Sequence, residues 1–202
     1  YEIRLSLVGS EMCIRDSHQT IELFLQKHKL NKPQEVFLVG FSGGYDSMCL
    51  LDSLQKITKN KIIAIHLNHN WRGVESDSEE KNCKKFCKEK NIEFYSEKLN
   101  KNIPHTETAA REARYDFFET CAEKFNSKII FTAHNKNDNV ETLLYRICKG
   151  TGVSGLQGIA ENRGNYYRPL LEVTRNEIEN YCKTNNLTPN NDSSNYDTKY
   201  KR

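Results

Sequence analysis

Val36-Phe37-Leu38-Val39-Gly40-Phe41, followed at once by Ser42-Gly43-Gly44-Tyr45-Asp46-Ser47, is the stretch that decides how this chain folds. The first six residues form a continuous apolar run. That reads as a strand buried on both faces, because a half-exposed strand would alternate polar and apolar residues. The next six are of the opposite kind. Two glycines let the backbone turn with positive φ and come close to a ligand. Successive N–H groups, and the positive end of a helix beginning near Met48, then face outward as a site for phosphate. Ser42 and Ser47 carry hydroxyls that can donate to phosphate oxygens. Asp46 repels phosphate directly and suits a bridging Mg²⁺. No Gly-Lys-Ser/Thr closes the loop, so it is not a Walker A sequence, and it lacks the G-x-G-x-x-G spacing of a dinucleotide site. The plain alternative is a tight strand-to-helix turn capped by Ser or Asp.

Working outward, a short amphipathic helix is expected at Thr20–His28, before Pro33 breaks the path. Met48–Ile57 reads as a helix, with apolar residues at 48, 50, 51, 54 and 57. Lys61–Leu67 is a second buried strand, Ser76–Asn91 a charged, solvent-facing helix, and Ile92–Lys98 a third strand, at an edge. Thr108–Phe125 is a long helix, Lys128–Thr132 a fourth strand and Asp138–Lys149 a further helix. After the glycine-rich Gly150–Gly158 come a fifth strand at Tyr166–Leu170 and a last helix at Arg175–Thr184. Strands alternating with helices predict an α/β fold: a doubly wound, mostly parallel five-stranded sheet with helices on both faces. Ligands in such sheets bind beyond the carboxyl ends of the strands, so residues that carry chemistry should follow strands.

The chain has 202 residues, 37% hydrophobic and 28% charged, with a formal charge of +3. That is ordinary for a single globular domain and gives only a weak lean toward nucleic acid. No apolar window is long enough to span a membrane. Seven cysteines include no C-x-x-C pair, which fits unpaired thiols in a reducing cytoplasm better than a zinc site. Tyr1–Ser17 resembles the translation of a sequencing adaptor and fails as a signal peptide. It carries two basic and three acidic residues, so residues 18–202 have a formal charge of +4. These residues are expected to be one catalytic domain, truncated at its C-terminus.

Ser42-Gly43-Gly44-Tyr45-Asp46-Ser47 is similar to the pyrophosphate loop of the N-type ATP pyrophosphatases, also called the PP-loop family. Further segments resemble the lysidine synthetase branch of that family. They are His66-Leu67-Asn68-His69-Asn70-Trp71-Arg72, Ala110-Arg111-Glu112-Ala113-Arg114-Tyr115, Thr132-Ala133-His134 through Asp138 to Glu141-Thr142, Gly150 through Gly158, Arg168-Pro169-Leu170-Leu171 and Asp192-Ser193-Ser194-Asn195. The branch differs at Asn135, Asn137 and Asn139, where it has histidine, aspartate and glutamine, and at Asn70 and Trp71, where it has glycine and leucine. The resemblance implies cleavage of ATP between its α and β phosphates. Ser42, Gly43, Gly44, Tyr45, Asp46, Ser47 and His66 would hold the nucleotide, and Asp46 would also hold Mg²⁺.

Asp46, His134, Asp138 and Arg114 would act in the chemistry. His134, Asp138 and Glu141 are spaced to share one helix face if the helix reaches back that far, with Val140, Leu143, Leu144 and Ile147 turned elsewhere. The plainer reading has Asn137 capping that helix. Arg111 and Arg114 read as surface residues on their own, whereas the resemblance implies that Arg114 approaches the phosphates or the reacting base. Trp71 and Tyr115 are either packing residues or platforms for a base. The implied partners are tRNA(Ile) with a CAU anticodon and free L-lysine; a homodimer stays open. The implied reaction adenylates the anticodon cytidine at O2 and then joins lysine at C2, a carbon–nitrogen ligation in the cytoplasm. A tRNA thiolation enzyme and a non-catalytic nucleotide-binding module are the alternatives.

Overall fold

A computed structural model describes residues 17–71, 73–99, 104 and 106–190. Except for Ser17, the adaptor-like segment lies outside the described residues, as do Arg72 and the Asp192–Asn195 motif. Ser17 itself is buried and opens the first helix.

The elements in chain order are α1 (Ser17–Lys27), β1 (Val36–Gly40), α2 (Tyr45–Ile57), β2 (Lys61–Asn68), α3 (Val74–Glu89), β3 (Glu93–Lys98), α4 (Glu107–Lys124), β4 (Ile129–Phe131), α5 (Lys136–Lys149), β5 (Asn162–Arg163), β6 (Tyr166–Tyr167) and α6 (Arg175–Thr184). A 3₁₀ turn at Val153–Gln157 lies within the glycine-rich stretch. The sheet order is β3-β2-β1-β4-β6-β5. All pairings are parallel except β5 with β6. The five expected parallel strands are present, with β3 at the edge. The sixth strand is an addition: two exposed polar residues form an antiparallel rung around Gly164, too short for any hydrophobic pattern to announce.

β1 pairs on both edges, with Val39 opposite Ala64 on one side and Phe131 on the other. Its alternate residues feed two cores. Phe37 and Val39 join residues of α1, α2, α3 and α6 on one face, and Leu38 joins Phe117, Phe118 and Cys121 of α4 on the other. This double burial explains why the run is continuously apolar. α3 buries only Ser76, Cys83 and Cys87, as its charged composition predicts. The described cysteines are all free, and all but Cys148 are buried.

α5 departs from expectation. The stripe of Val140, Leu144 and Ile147 does not enter the core; each is about half exposed, and the helix has no buried residue at all.

Asp52 of α2 is fully buried and ties three helices together. It pairs with Lys56 at 2.6 Å and with Lys90, just past α3, at 2.8 Å, and accepts a 2.8 Å hydrogen bond from the Tyr181 hydroxyl of α6. Burial opposes its ionisation, but the hydrogen bonds from Lys56, Lys90 and Tyr181 outweigh that and hold the carboxyl below its ordinary value. A depressed carboxylate pKa stabilises the fold above the unfolded-state value, and that stability is lost as pH falls through the folded-state value. Asp52→Ala should cost about 2–3 kcal/mol in denaturant unfolding, near the low end for breaking a buried pair because both lysines keep partial solvent contact. Asp52→Asn should also flatten the acid limb of stability against pH; an unchanged limb would assign that limb to other carboxylates.

Candidate active site

The site is built where two strands end side by side. Phe41 continues β1 by donating its N–H to Ile65 O at 2.9 Å, after which the chain turns away through Ser42–Gly44 into α2. Only Gly43 has positive φ, at 80°, and a Cβ there would press on Asn190 Nδ2 and Cys83 Sγ. Asn190 in turn donates its backbone N–H to Gly43 O at 2.9 Å, so the segment after α6 braces the loop from behind. Gly44 has φ −77° and caps α2 without a side-chain bond, which leaves the first N–H groups of that helix uncapped by any side chain.

The loop serines face each other. Ser42 Oγ and Ser47 Oγ lie 3.1 Å apart, Ser47 Oγ donates to Gly44 O at 3.1 Å, and Ser42 N donates to Ser47 Oγ at 3.3 Å. Ser47 is buried and Ser42 exposed, so the two hydroxyls clasp the turn, with Ser42 at its open side. Tyr45 and Asp46 are the first residues of α2, which starts three positions earlier than the apolar pattern suggested.

Opposite the loop, β4 runs out through Thr132, Ala133, His134 and Asn135 into α5. Asn135 caps the helix: its Oδ1 accepts from Asp138 N at 3.0 Å while Asp138 Oδ2 accepts from Asn135 N at 3.0 Å. The cap is therefore Asn135 and not Asn137. His134 precedes the helix, so it does not share a helix face with Asp138 and Glu141. The remaining donor of the Asn135 amide, Nδ2, reaches across to Asp46 Oδ1 at 3.0 Å. One carboxamide, 3% exposed, thus joins the glycine loop to the start of α5. Burial raises the Asp46 pKa; the Asn135 hydrogen bond opposes this, the Asp138 charge adds to it, and Arg175 lowers it. Two carboxylates in one partly closed site call for positive charge.

His134 is half-buried, and its Nδ1 lies 3.1 Å from Thr132 Oγ1. Burial first, then the charges of Arg168, Arg111 and Arg114, pull its pKa down to about 4, with Asp138 opposing. His134 is therefore neutral at physiological pH. Arg114 lies on the exposed side of α4 with Nη2 3.4 Å from His69 Nε2. His69 is pushed down to about 4 by burial, Arg114 and His66. Arg168, just past β6, is buried, and its Nη1 donates to Ala160 O at 2.9 Å.

His66 is also buried, with Nδ1 2.8 Å from Phe41 O, and burial lowers its pKa. It props the end of β1 where the loop begins. Tyr115 packs edge-on to Tyr166 and Phe118, while Trp71 is partly exposed beside the His69 ring.

This geometry matches a known family. The PP-loop domain profile matches residues 15–202. The chain belongs to the PP-loop family. Similar curated PP-loop proteins include the tRNA(Ile)-lysidine synthase of Clostridium tetani, 42% identical over 88% of this chain and 40% of that protein. That of Clostridium acetobutylicum is 41% identical over 94% of this chain and 42% of its own length. The chain thus spans about two fifths of these relatives. In Petrotoga mobilis the corresponding protein is 35% identical, with 95% of this chain and 64% of that protein aligned. Among solved structures, the U34-tRNA thiolase NcsA from Methanococcus maripaludis superposes with a TM-score of 0.74 at 17% identity, over 88% of this chain and 65% of that one. The NH3-dependent NAD synthetase of Campylobacter jejuni gives 0.60 at 17% identity, over 87% and 75%. Both likenesses speak to the fold.

The structure brings the loop's Asp46 and the Asp138 singled out from the sequence together through Asn135, which the sequence reading noted only as a departure from the branch pattern. The signal was present in the spacing of Asn135 and Asp138, since Asn at N-cap with a carboxylate at N3 is a capping pattern. Arg168 was read only as part of a motif. The two loop glycines differ in what they permit: Gly44 has free space for a Cβ, with Ser42 Oγ at 3.6 Å, and Gly43 has neither the space nor the φ. Gly43→Ala should cost roughly 1–2 kcal/mol from the left-handed backbone alone. Gly44→Ala should unfold at nearly the wild-type denaturant midpoint; equal loss in both would remove the special role of Gly43.

Proposed function

We propose that this chain is the adenylating portion of a tRNA(Ile)-lysidine synthase, acting on ATP, free L-lysine and tRNA(Ile) with a CAU anticodon. The observation that supports it most is the Asn135 bridge, which sets the glycine loop against the His134–Asp138 segment across the ends of β1 and β4. The lysidine synthase relatives add the substrate class to that reading.

In this reading the loop N–H groups and the start of α2 receive the β and γ phosphates. The cytidine O2 attacks the α phosphorus, the α–β bridging bond breaks, and pyrophosphate leaves into the loop. The ε-amino nitrogen of lysine then attacks C2 and AMP departs. Asp46 and Asp138 suit a Mg²⁺ that completes its shell with phosphate oxygens and water. No group of three or more His, Cys, Asp or Glu side chains that could hold a metal occurs among the described residues, which agrees with a cation held jointly by protein and nucleotide. When bound, Mg²⁺ would neutralise charge growing on the departing pyrophosphate. Arg114 and Arg111 stand on the exposed rim of α4, suited to phosphate groups of the nucleotide or the RNA.

The lysine ammonium must lose a proton, and its ordinary pKa is about 10.4. His134, with a pKa near 4, is too weak a base to take that proton readily. Its role is then to orient the amine through a neutral ring nitrogen, with Asp138 accepting a hydrogen bond from the ammonium and solvent taking the proton, since an ordinary carboxylate is no stronger a base. A thiolation activity of the kind that relies on paired C-x-x-C ligands for an iron–sulfur cluster is less favoured, because the sequence holds no such pair. No helix among the described residues is long and apolar enough to cross a membrane, and we assign the protein to the cytoplasm with its tRNA substrate. A homodimer is compatible with this reading.

The test is mass spectrometry of tRNA(Ile) after incubation with ATP and lysine, using a version extended to the length of the relatives. Lysine-dependent appearance of lysidine is expected; a requirement for a sulfur donor would turn the assignment to thiolation. Asp46→Ala should weaken Mg·ATP binding at least tenfold, the scale of a lost charged contact. His134→Ala should retain ATP and lose turnover. Because His134 is neutral, the wild-type pH–rate profile should carry no limb near the ordinary histidine value of 6.5. Such a limb would restore His134 as the base.

A further inference from the structure

We propose that Asn135 is a positioning residue for the divalent cation: its carboxamide fixes the Asp46 carboxylate opposite Asp138, so that both serve one metal–nucleotide complex. The inference rests on the nucleotide reading above and concerns a residue at which this chain departs from the branch pattern.

Three features carry it. First, the amide orientation is determined on both sides. With Oδ1 accepting from Asp138 N and Nδ2 donating to Asp46 Oδ1, exchanging the two atoms would set oxygen against a carboxylate and N–H against N–H. Second, the bridge uses one oxygen of each acid. Asp46 Oδ1 is taken by Asn135 Nδ2 and Asp138 Oδ2 by Asn135 N. Asp46 Oδ2 and Asp138 Oδ1 have no side-chain hydrogen bond among the described residues. Third, Asn135 is itself rigid, being 3% exposed at the N-cap of α5 with its carbonyl accepting from Asn139 N at 3.2 Å. A rigid donor across the crevice removes rotamer freedom that Asp46, at the end of a glycine loop, would otherwise lose on binding the cation. A neutral carboxamide does this without adding charge of either sign. A lysine would compete with the metal, and a carboxylate would repel Asp46.

The cap and the bridge can be separated. Asn135→Ser and Asn135→Thr keep an oxygen that can cap α5 but lack the donor toward Asp46. ATP binding to the wild-type chain and both variants is followed by isothermal titration at stepped MgCl₂, with melting temperature recorded alongside. The expected result is a melting temperature close to wild type and about a tenfold rise in the Mg²⁺ concentration for half-maximal ATP binding, the effect of losing a hydrogen bond to a charged group. In an Asp46→Asn background, Asn135→Ser should shift the Mg²⁺ dependence no further, since the two residues act as one unit. An unchanged Mg²⁺ dependence in both variants overturns the proposal, and so does collapse of both folds, which would make Asn135 a structural residue alone. Wild-type ATP binding that ignores Mg²⁺ also overturns it while leaving the nucleotide site standing. Wild-type failure to bind ATP at any Mg²⁺ concentration defeats the functional reading first.

Discussion

The pairing of β1 with β4 is the constraint from which the rest follows. With Val39 opposite Phe131, the chains leaving these strands emerge as neighbours, although more than ninety residues separate them in sequence. Each strand is buried on both faces, so neither can shift by one residue without moving a full set of apolar side chains to the wrong core. The register therefore fixes, to within a side chain's reach, where Asp46 stands relative to Asn135. His66 and the Phe41–Ile65 bond fix the height at which β1 stops.

Electrostatics then give the crevice two characters. On the floor, Asp46 and Asp138 face each other through an amide. On the wall, burial first and then the charges of Arg168, Arg111 and Arg114 keep His134 uncharged. A polyanion accompanied by a divalent cation satisfies both at once. The buried Asp52 with its three partners does quieter work away from the loop, locking α2 to α6 and the end of α3 and so keeping the loop's outgoing helix in place.

Much of this was legible in the sequence, for physical reasons that differ by element. β1 and β2 announced themselves because double burial demands unbroken apolar runs, and α2, α4 and α6 kept the helical period. The glycine loop was readable because its composition makes sense only where a backbone must turn tightly. Three things were hidden. The β5 rung has two polar residues and no pattern to display. Which asparagine capped α5 was hidden in part: the Asn135–Asp138 spacing signalled it, but where β4 releases the chain decided against Asn137. The Asn135 contact with Asp46 spans 89 positions and could be seen only once the strand order β1-β4 was known. The stripe on α5 misled for a further reason: its apolar period is real, but periodicity says that a face exists, not that this domain covers it.

That uncovered helix has a bearing on how order is distributed. Fourteen residues is about the shortest length at which a helix persists without help. α5 draws none from a core, since no residue of it is buried. Its anchors are at the edges: the Asn135 box at one end, and Arg146 and Asn139 bonded to the backbone at Gly155, Gly158 and Ile159 along the side. The element that presents Asp138 is thus tethered rather than embedded. Fraying from its far end would travel one turn at a time toward the crevice, and the last turn to survive would be the one that the Asn135–Asp138 box holds shut.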